Sequence, residues 1–422
     1  MLQPDGSQRY RAAAWAPEVA GILTADQVIS TGRAIAAVQQ PDGAIGWPDG
    51  HVDAWNHVEC AMALSVCGLR DSGRRAYEWL RANQRPDGSW RKQMPAGRAD
   101  LTTPDLTTAD LATADLATAG LTTADLTTES NHAAYCAVGV WHELLLSRDE
   151  GFAQRMWPTV KAAIDFVLGL QTSRGEIIWR RAADGTPESY ALLAGSSSMY
   201  SSLRCAIMLA EYLADPQPDW ELAADQLGHV VACHPEAFAD KSRFSMDWYY
   251  PVLGGPVRGE AGLAHLAAGW DDFVVPGLGA RCVRDQPWVT GAETCELVLA
   301  LDALGDRSRA AELFADIQQL RDPAGGYWTG WQYVNQAHFP AEQSSWTAAA
   351  IILAADALSG ATGGAGIFRA AGGRWPAAVT ADAKAPHADG AGAGAAGAGA
   401  DVAGAAACGC SADAFSGPLE HP

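Results

Sequence analysis

The chain has 422 residues, 48% of them hydrophobic, enough for a large core in one big domain or two smaller ones. Its net charge of −20, with no basic run anywhere, excludes a nucleic acid or an anionic membrane as partner, because phosphate binding needs clustered Lys and Arg. Nine Cys, an odd number and several inside helical patterns (Cys60, Cys136, Cys205, Cys295), point to reduced thiols in a cytoplasmic protein.

Residues 1–23 read as an N-terminal extension without an apolar leader, and no run of about 20 apolar residues follows that could span a membrane. From 24 to 360 the pattern is helix after helix, and strand-like alternation is scarce. TADQVISTGRAIAAVQQ carries apolar residues at helical spacing behind a capping Thr. Four helices end in similar joints: QQPDGAIGW (39–47), NQRPDGSW (83–90), LQTSRGEIIW (170–179) and QQLRDPAGGYW (318–328). In each a Gln closes the helix, a turn that tolerates positive φ follows, and an aromatic folds back.

The helices after the joints are richer in small residues: WNHVECAMAL, SNHAAYCAVGV, YSSLRCAIML, GAETCELVLAL and SSWTAAAIIL. Helices apolar on most faces must be surrounded by protein. About six outer–inner pairs closing in a ring give an all-α double barrel, with GEAGLAHLAAG (259–269) read as the fourth inner helix. The polar first turns of the inner helices then converge on one cavity. Residues 100–128 repeat every five positions and read as a pentapeptide-like low-complexity insertion, and 361–422 as a disordered Ala/Gly-rich tail.

Residues 46–59, GWPDGHVDAWNHVE, hold three carboxylates, two His and two Trp at the mouth of the first inner helix. A helix cap needs only one Asp, so the crowding of Trp47, Asp49, Asp53, Trp55, Asn56, His57 and Glu59 marks a site, with Asp53 the favoured catalytic carboxylate. A glycoside needs a second carboxylate as proton donor. Glu260 in PVRGEAG, beside Arg258, fits that role from the other half, near the acid–aromatic cluster Asp247, Trp248, Tyr249 and Tyr250. Glu293, Trp331, Tyr333, Asn335 and His338 read as further rim, where rings stack on sugar faces and amides bond hydroxyls. The pairs His132/Cys136 and His57/Cys60 are too few for zinc, and no nucleotide-binding or nucleophile-elbow motif occurs, so neither metal nor cofactor is expected.

The joints and inner helices together resemble the α/α-toroid superfamily over residues 24–360. It contains six-hairpin glycosidases as well as squalene cyclases and protein prenyltransferases. The segments HVDAWNHVE, GSSSMYSSLRCA and VRGEAG resemble an actinobacterial group of intracellular glycosidases that includes a methylmannose polysaccharide hydrolase of mycobacteria. The resemblance implies an (α/α)6 toroid, Asp53 and Glu260 as the catalytic pair, an α-linked carbohydrate substrate and an inverting outcome. The alternatives left open are an isoprenoid enzyme of the same superfamily, disfavoured by the missing Asp-rich and zinc motifs, and a non-catalytic carbohydrate-binding toroid.

Overall fold

The structure, a computed structural model, describes residues 16–95 and 126–370. Residues 1–15, the insertion up to 125 and residues 371–422 lie outside the described residues. Six helices form an inner ring: α2 (Ala54–Val66), α5 (Cys136–Ser147), α7 (Leu193–Tyr212), α9 (Ser245–Leu253), α11 (Gly291–Ala303) and α13 (Ser345–Ser359). Each packs on the next, and α13 packs back on α2 to close the cycle. A short helix α4 (Ser130–Ala134) leads into α5. Outside them lie α1 (Ala25–Val38), α3 (Arg70–Ala82), α6 (Glu150–Leu168), α8 (Pro218–Cys233), α10 (Gly259–Phe273) and α12 (Arg307–Asp316), each against its inner partner. The chain is thus a helical toroid.

Burial follows composition. In α2 every residue from His57 to Val66 is buried, and the same holds for Cys136–Leu145 of α5 and Gly291–Asp302 of α11. Small side chains such as Ala61, Ala63 and Gly139 allow this, because a helix surrounded on all sides has no room for bulk on every face. The outer helices bury one stripe only; α3 keeps Gly73, Ala76, Tyr77, Trp79 and Leu80 inward. Thr24 caps α1 in a reciprocal box with Gln27.

The joints act as clasps between outer helices. Gln39, Gln84 and Gln171 each donate to the carbonyl of the Gly four residues on and to a carbonyl of the next outer helix, at Ser72, Thr159 and Ala223. Gly43, Gly88, Gly175 and Gly325 all have φ between +87° and +108° and lie against the backbone of that neighbour. In the fourth joint Arg321 stands where the others have Gln, and Gly325 lies on Ser30 of α1, which ties the last outer helix to the first.

Short antiparallel strand pairs set the entry to the inner helices. These are β1 (His51–Val52) with β2 (Met94–Pro95), β3 (Thr128–Glu129) with β4 (Arg180–Arg181), and β5 (Val274–Val275) with β6 (Gly279–Ala280). A three-stranded sheet follows, β7 (Trp288–Thr290), β8 (Gly330–Gln332) and β9 (Ala337–His338). With two or three residues each, they are too short to show alternation in sequence.

Two expectations need correction. The fourth inner helix is α9, SMDWYYPVL, and GEAGLAHLAAGWDDF is the outer helix α10, which buries only Gly262, Leu266 and Phe273. Its small residues face outward, whereas the bulky Tyr249, Tyr250 and Val252 fill the interior. Residues 361–370, assigned to the tail, are packed: Ile367 is buried in α14 (Ile367–Ala370), and Arg369 pairs with Asp302 at the C-terminal end of α11.

Candidate active site

The site lies where the N-terminal turns of the inner helices meet. The ring is laced there from helix to helix: Ser345 Oγ donates to Gly46 O (3.1 Å), Ala194 N to Asp247 Oδ1 (3.2 Å) and Ser245 N to Cys282 O (3.0 Å).

Asp53 is the N-cap of α2 and only 4% exposed. Its Oδ1 accepts from Asn56 N (2.8 Å), and its Oδ2 from Asn56 Nδ2 (2.6 Å) and the Trp47 indole (2.7 Å). Burial works against its charge, but the His132 ring and these donors outweigh burial and hold the carboxyl below its usual range. Asp53 is therefore a shielded, ionised carboxylate.

Glu59 lies six residues further, about 9 Å deeper along the helix. Tyr135 OH (2.9 Å) and the Trp55 indole (3.2 Å) donate to one of its oxygens. Burial pushes its carboxyl up to about 7, against those donors and Trp346, and the Asp53 charge adds to the rise. Across the ring Glu296 of α11 accepts from Tyr249 and from Tyr250 (2.6 Å). Burial, then the Glu59 charge, push it well above the carboxylate range. Two carboxyls in this setting do not both ionise at neutral pH, so the floor holds a proton. Trp55 roofs it, with Tyr135 and Tyr250 rings at 5.5 and 6.0 Å and His132 at 6.3 Å.

Glu293 is buried in the first turn of α11, one turn above Glu296 on the same helix. Its neighbours are inside the ring: its charge is felt by Tyr249 and Glu296, and the Cys282 thiol, driven up by burial, hydrogen-bonds to it. Asp247 accepts from Ala194 N and so caps α7 at its N-terminal end. Burial raises its carboxyl to about 6, against the Ala194 and Lys241 backbone donors, and the Asp240 charge adds to the rise.

The remaining expected site residues differ in their placement. Glu260 is exposed in the first turn of the outer helix α10. Gly262, one half-turn on, abuts Leu304 just past the C-terminal end of α11, which puts Glu260 at the closed end of the barrel. Arg258 is half-buried at that same end, donating to Phe368 O (2.7 Å). His57 accepts from Ile45 N and donates to Ala76 O (2.8 Å), facing the outer helix α3. Trp248 stacks on Phe273 of α10 and donates to His265 O. Asp49 is exposed and pairs with His51 (2.6 Å) on the rim. Trp331 and His338 pair across β8 and β9, where His338 also stacks on Trp328. Sequence reasoning missed Glu296, Tyr135, Trp346 and the His132–Asp53 pairing. Each lies within the quoted inner-helix segments, and helical phase from Glu293 and Asn131 would have reached Glu296 and Tyr135. Among the described residues no group of three or more His, Cys, Asp and Glu gathers as metal ligands, and no helix is long and apolar enough to cross a membrane.

No known family profile matches the chain. A curated protein of Mycolicibacterium hassiacum, the MMP endo-(1,4)-3-O-methyl-alpha-D-mannosidase, is 52% identical over 354 residues, covering 84% of this chain and 92% of the relative. The chain belongs to this mannosidase family. It is a glycoside hydrolase, and the isoprenoid alternative finds no support among its relatives. Solved structures share the fold at low identity. A wild-type glycosidase has a TM-score of 0.58 at 14% identity, covering 80% of this chain and 97% of its own. The GH63 mannosylglycerate hydrolase of Thermus thermophilus has 0.57 at 12%, covering 77% and 99%. A D-mannose isomerase has 0.55 at 11%, covering 78% and 95%, so the toroid by itself does not decide the chemistry of a family member.

Proposed function

We propose that the chain is an endo-acting hydrolase of a 3-O-methylated α-1,4-mannan, with Asp53 and Glu293 as its two working carboxylates on an (α/α)6 barrel. What supports the pair is the ionised Asp53 at the mouth together with the buried Glu293 in the first turn of α11, two inner helices round the ring. Glu293 donates the proton to the leaving glycosidic oxygen. Asp53, already charged and oriented by Trp47 and Asn56, takes a proton from the water that attacks the anomeric carbon from the opposite face. The outcome is inversion. Trp55, Tyr135 and Tyr250 offer flat apolar surface to sugar CH faces and methyl groups. Asn131 on α4, and Ser196 and Ser198 on the first two turns of α7, hold side-chain polar atoms without a partner among the described residues, which suits a ligand rich in oxygens. The buried free cysteines Cys60, Cys67, Cys136, Cys205 and Cys295 support a cytoplasmic setting.

Asp53→Asn and Glu293→Gln are each expected to lower kcat on 3-O-methylmannan by roughly 10²–10⁴-fold, with KM little changed. Glu260→Gln is expected to turn over like the parent. NMR of fresh product should show the β-anomer first. Full turnover in Glu293→Gln would remove it from the pair.

A further inference from the structure

Trp47, which bonds Asp53, also lines a cavity of about 450 Å³. It sits between the C-terminal half of α1, the loop 46–50, Gly326–Tyr327 and the first turn of α13. Ala34, Val38 and Pro48 supply methyl and methylene surface, and Gln343 and Ser345 supply hydrogen-bonding groups. Among the described residues no charged side chain lines it, in a chain of net charge −20. Val38 is 49% exposed, one of the few large apolar side chains left open to solvent.

The cavity is continuous with the catalytic wall. Trp47 lines it and also donates to Asp53 Oδ2, and Ser345 both lines it and bonds Gly46 O. Trp346, the next residue, brings its ring to 5.9 Å from Trp47. A charged ligand would find no counter-ion here, and a fully hydroxylated one would leave hydroxyls facing methyl groups unpaired. A neutral glycan with O-methyl groups offers what the lining takes, apolar patches interrupted by a few oxygens. The volume is within the usual range of small-molecule sites.

We propose that this cavity is an accessory subsite holding the stretch of O-methylated mannan away from the scissile bond. The inference rests on the mannan reading above. It makes the enzyme a length reader: chains long enough to pass Trp47 and enter the cavity bind better than short ones that fill only the catalytic end.

The test uses two variants outside the catalytic machinery, Val38→Asp, which places a charge in the lining, and Ala34→Phe, which fills it. Turnover of a 3-O-methylmannose tetrasaccharide reports the function itself and should stay at the parent level in both. Its absence in the parent would defeat the mannan reading, not the subsite. Calorimetric binding of the full polymer and the tetrasaccharide, in a Glu293→Gln background that stops cleavage, reports the subsite. The expected result is tighter binding of the polymer, with the advantage reduced about tenfold or more by either variant. Equal binding of polymer and tetrasaccharide, or an advantage untouched by both variants, would overturn the proposal. So would a parallel loss for both ligands.

Discussion

Asp53 works because its charge is held in place by neighbours that are readily removed one at a time. His132 reaches it from α4, the short helix that leads into the next inner helix, and is itself 3.3 Å from Glu129. The folded pKa of Asp53 lies below its ordinary value, so its contribution to stability is present above the unfolded pKa and is lost as pH falls through the folded one. His132→Ala removes a lowering influence. The acidic limb of kcat/KM should then move to higher pH, toward the ordinary carboxylate value of about 3.9. An unmoved limb would show that another group sets it. Asp53 itself was legible from the crowding of acids and aromatics in 46–59, and Glu293 from its place in a polar first turn. The floor was less so, because Glu296 follows Cys295 inside an apolar run and reveals its role only when Tyr249 and Tyr250 arrive from another helix. Glu260 misled for the opposite reason: Arg-Gly-Glu at a helix start looks the same whether that helix lines the cavity or sheathes it.

The clasp is the element that repeats, and its glycines carry two separate demands. Gly88 has φ +87°, and a Cβ there would fall on the Ala162 carbonyl of α6. Gly21 has φ +76° but open space around it. Left-handed backbone costs a non-glycine residue about 1–2 kcal/mol. Gly21→Ala should lose about that much in chemical denaturation, and Gly88→Ala distinctly more, since backbone must move as well. Equal losses would mean the clasp yields without cost. These joints were readable because their chemistry is local: Gln, a turn, a positive-φ glycine and an aromatic within ten residues. The inner or outer standing of α9 and α10 was not, because it depends on what packs around them. The nine-residue α9, with Pro251 inside, is too short to display the all-round apolar pattern that marks α2 or α13.

On the scale of the whole molecule, the helices form a cycle in which the first and last members are neighbours. α1 packs on both α13 and α2, and Gly325 of the last clasp rests on Ser30. A ribosome must therefore release α1 and α2 with their mating surfaces uncovered until α13 follows some 280 residues later. That long separation makes closure the slow, non-local event of folding. It also means that the ring has no intrinsic first hairpin. A circular permutant that joins residue 370 to residue 16 through a dozen Gly and Ser, a span of about 20 Å, and opens the chain within 96–125 would keep every described helix–helix contact. It should hydrolyse the same glycan as the parent and unfold in one transition. Its starting hairpin would be one that now emerges second, so only the order of assembly would differ.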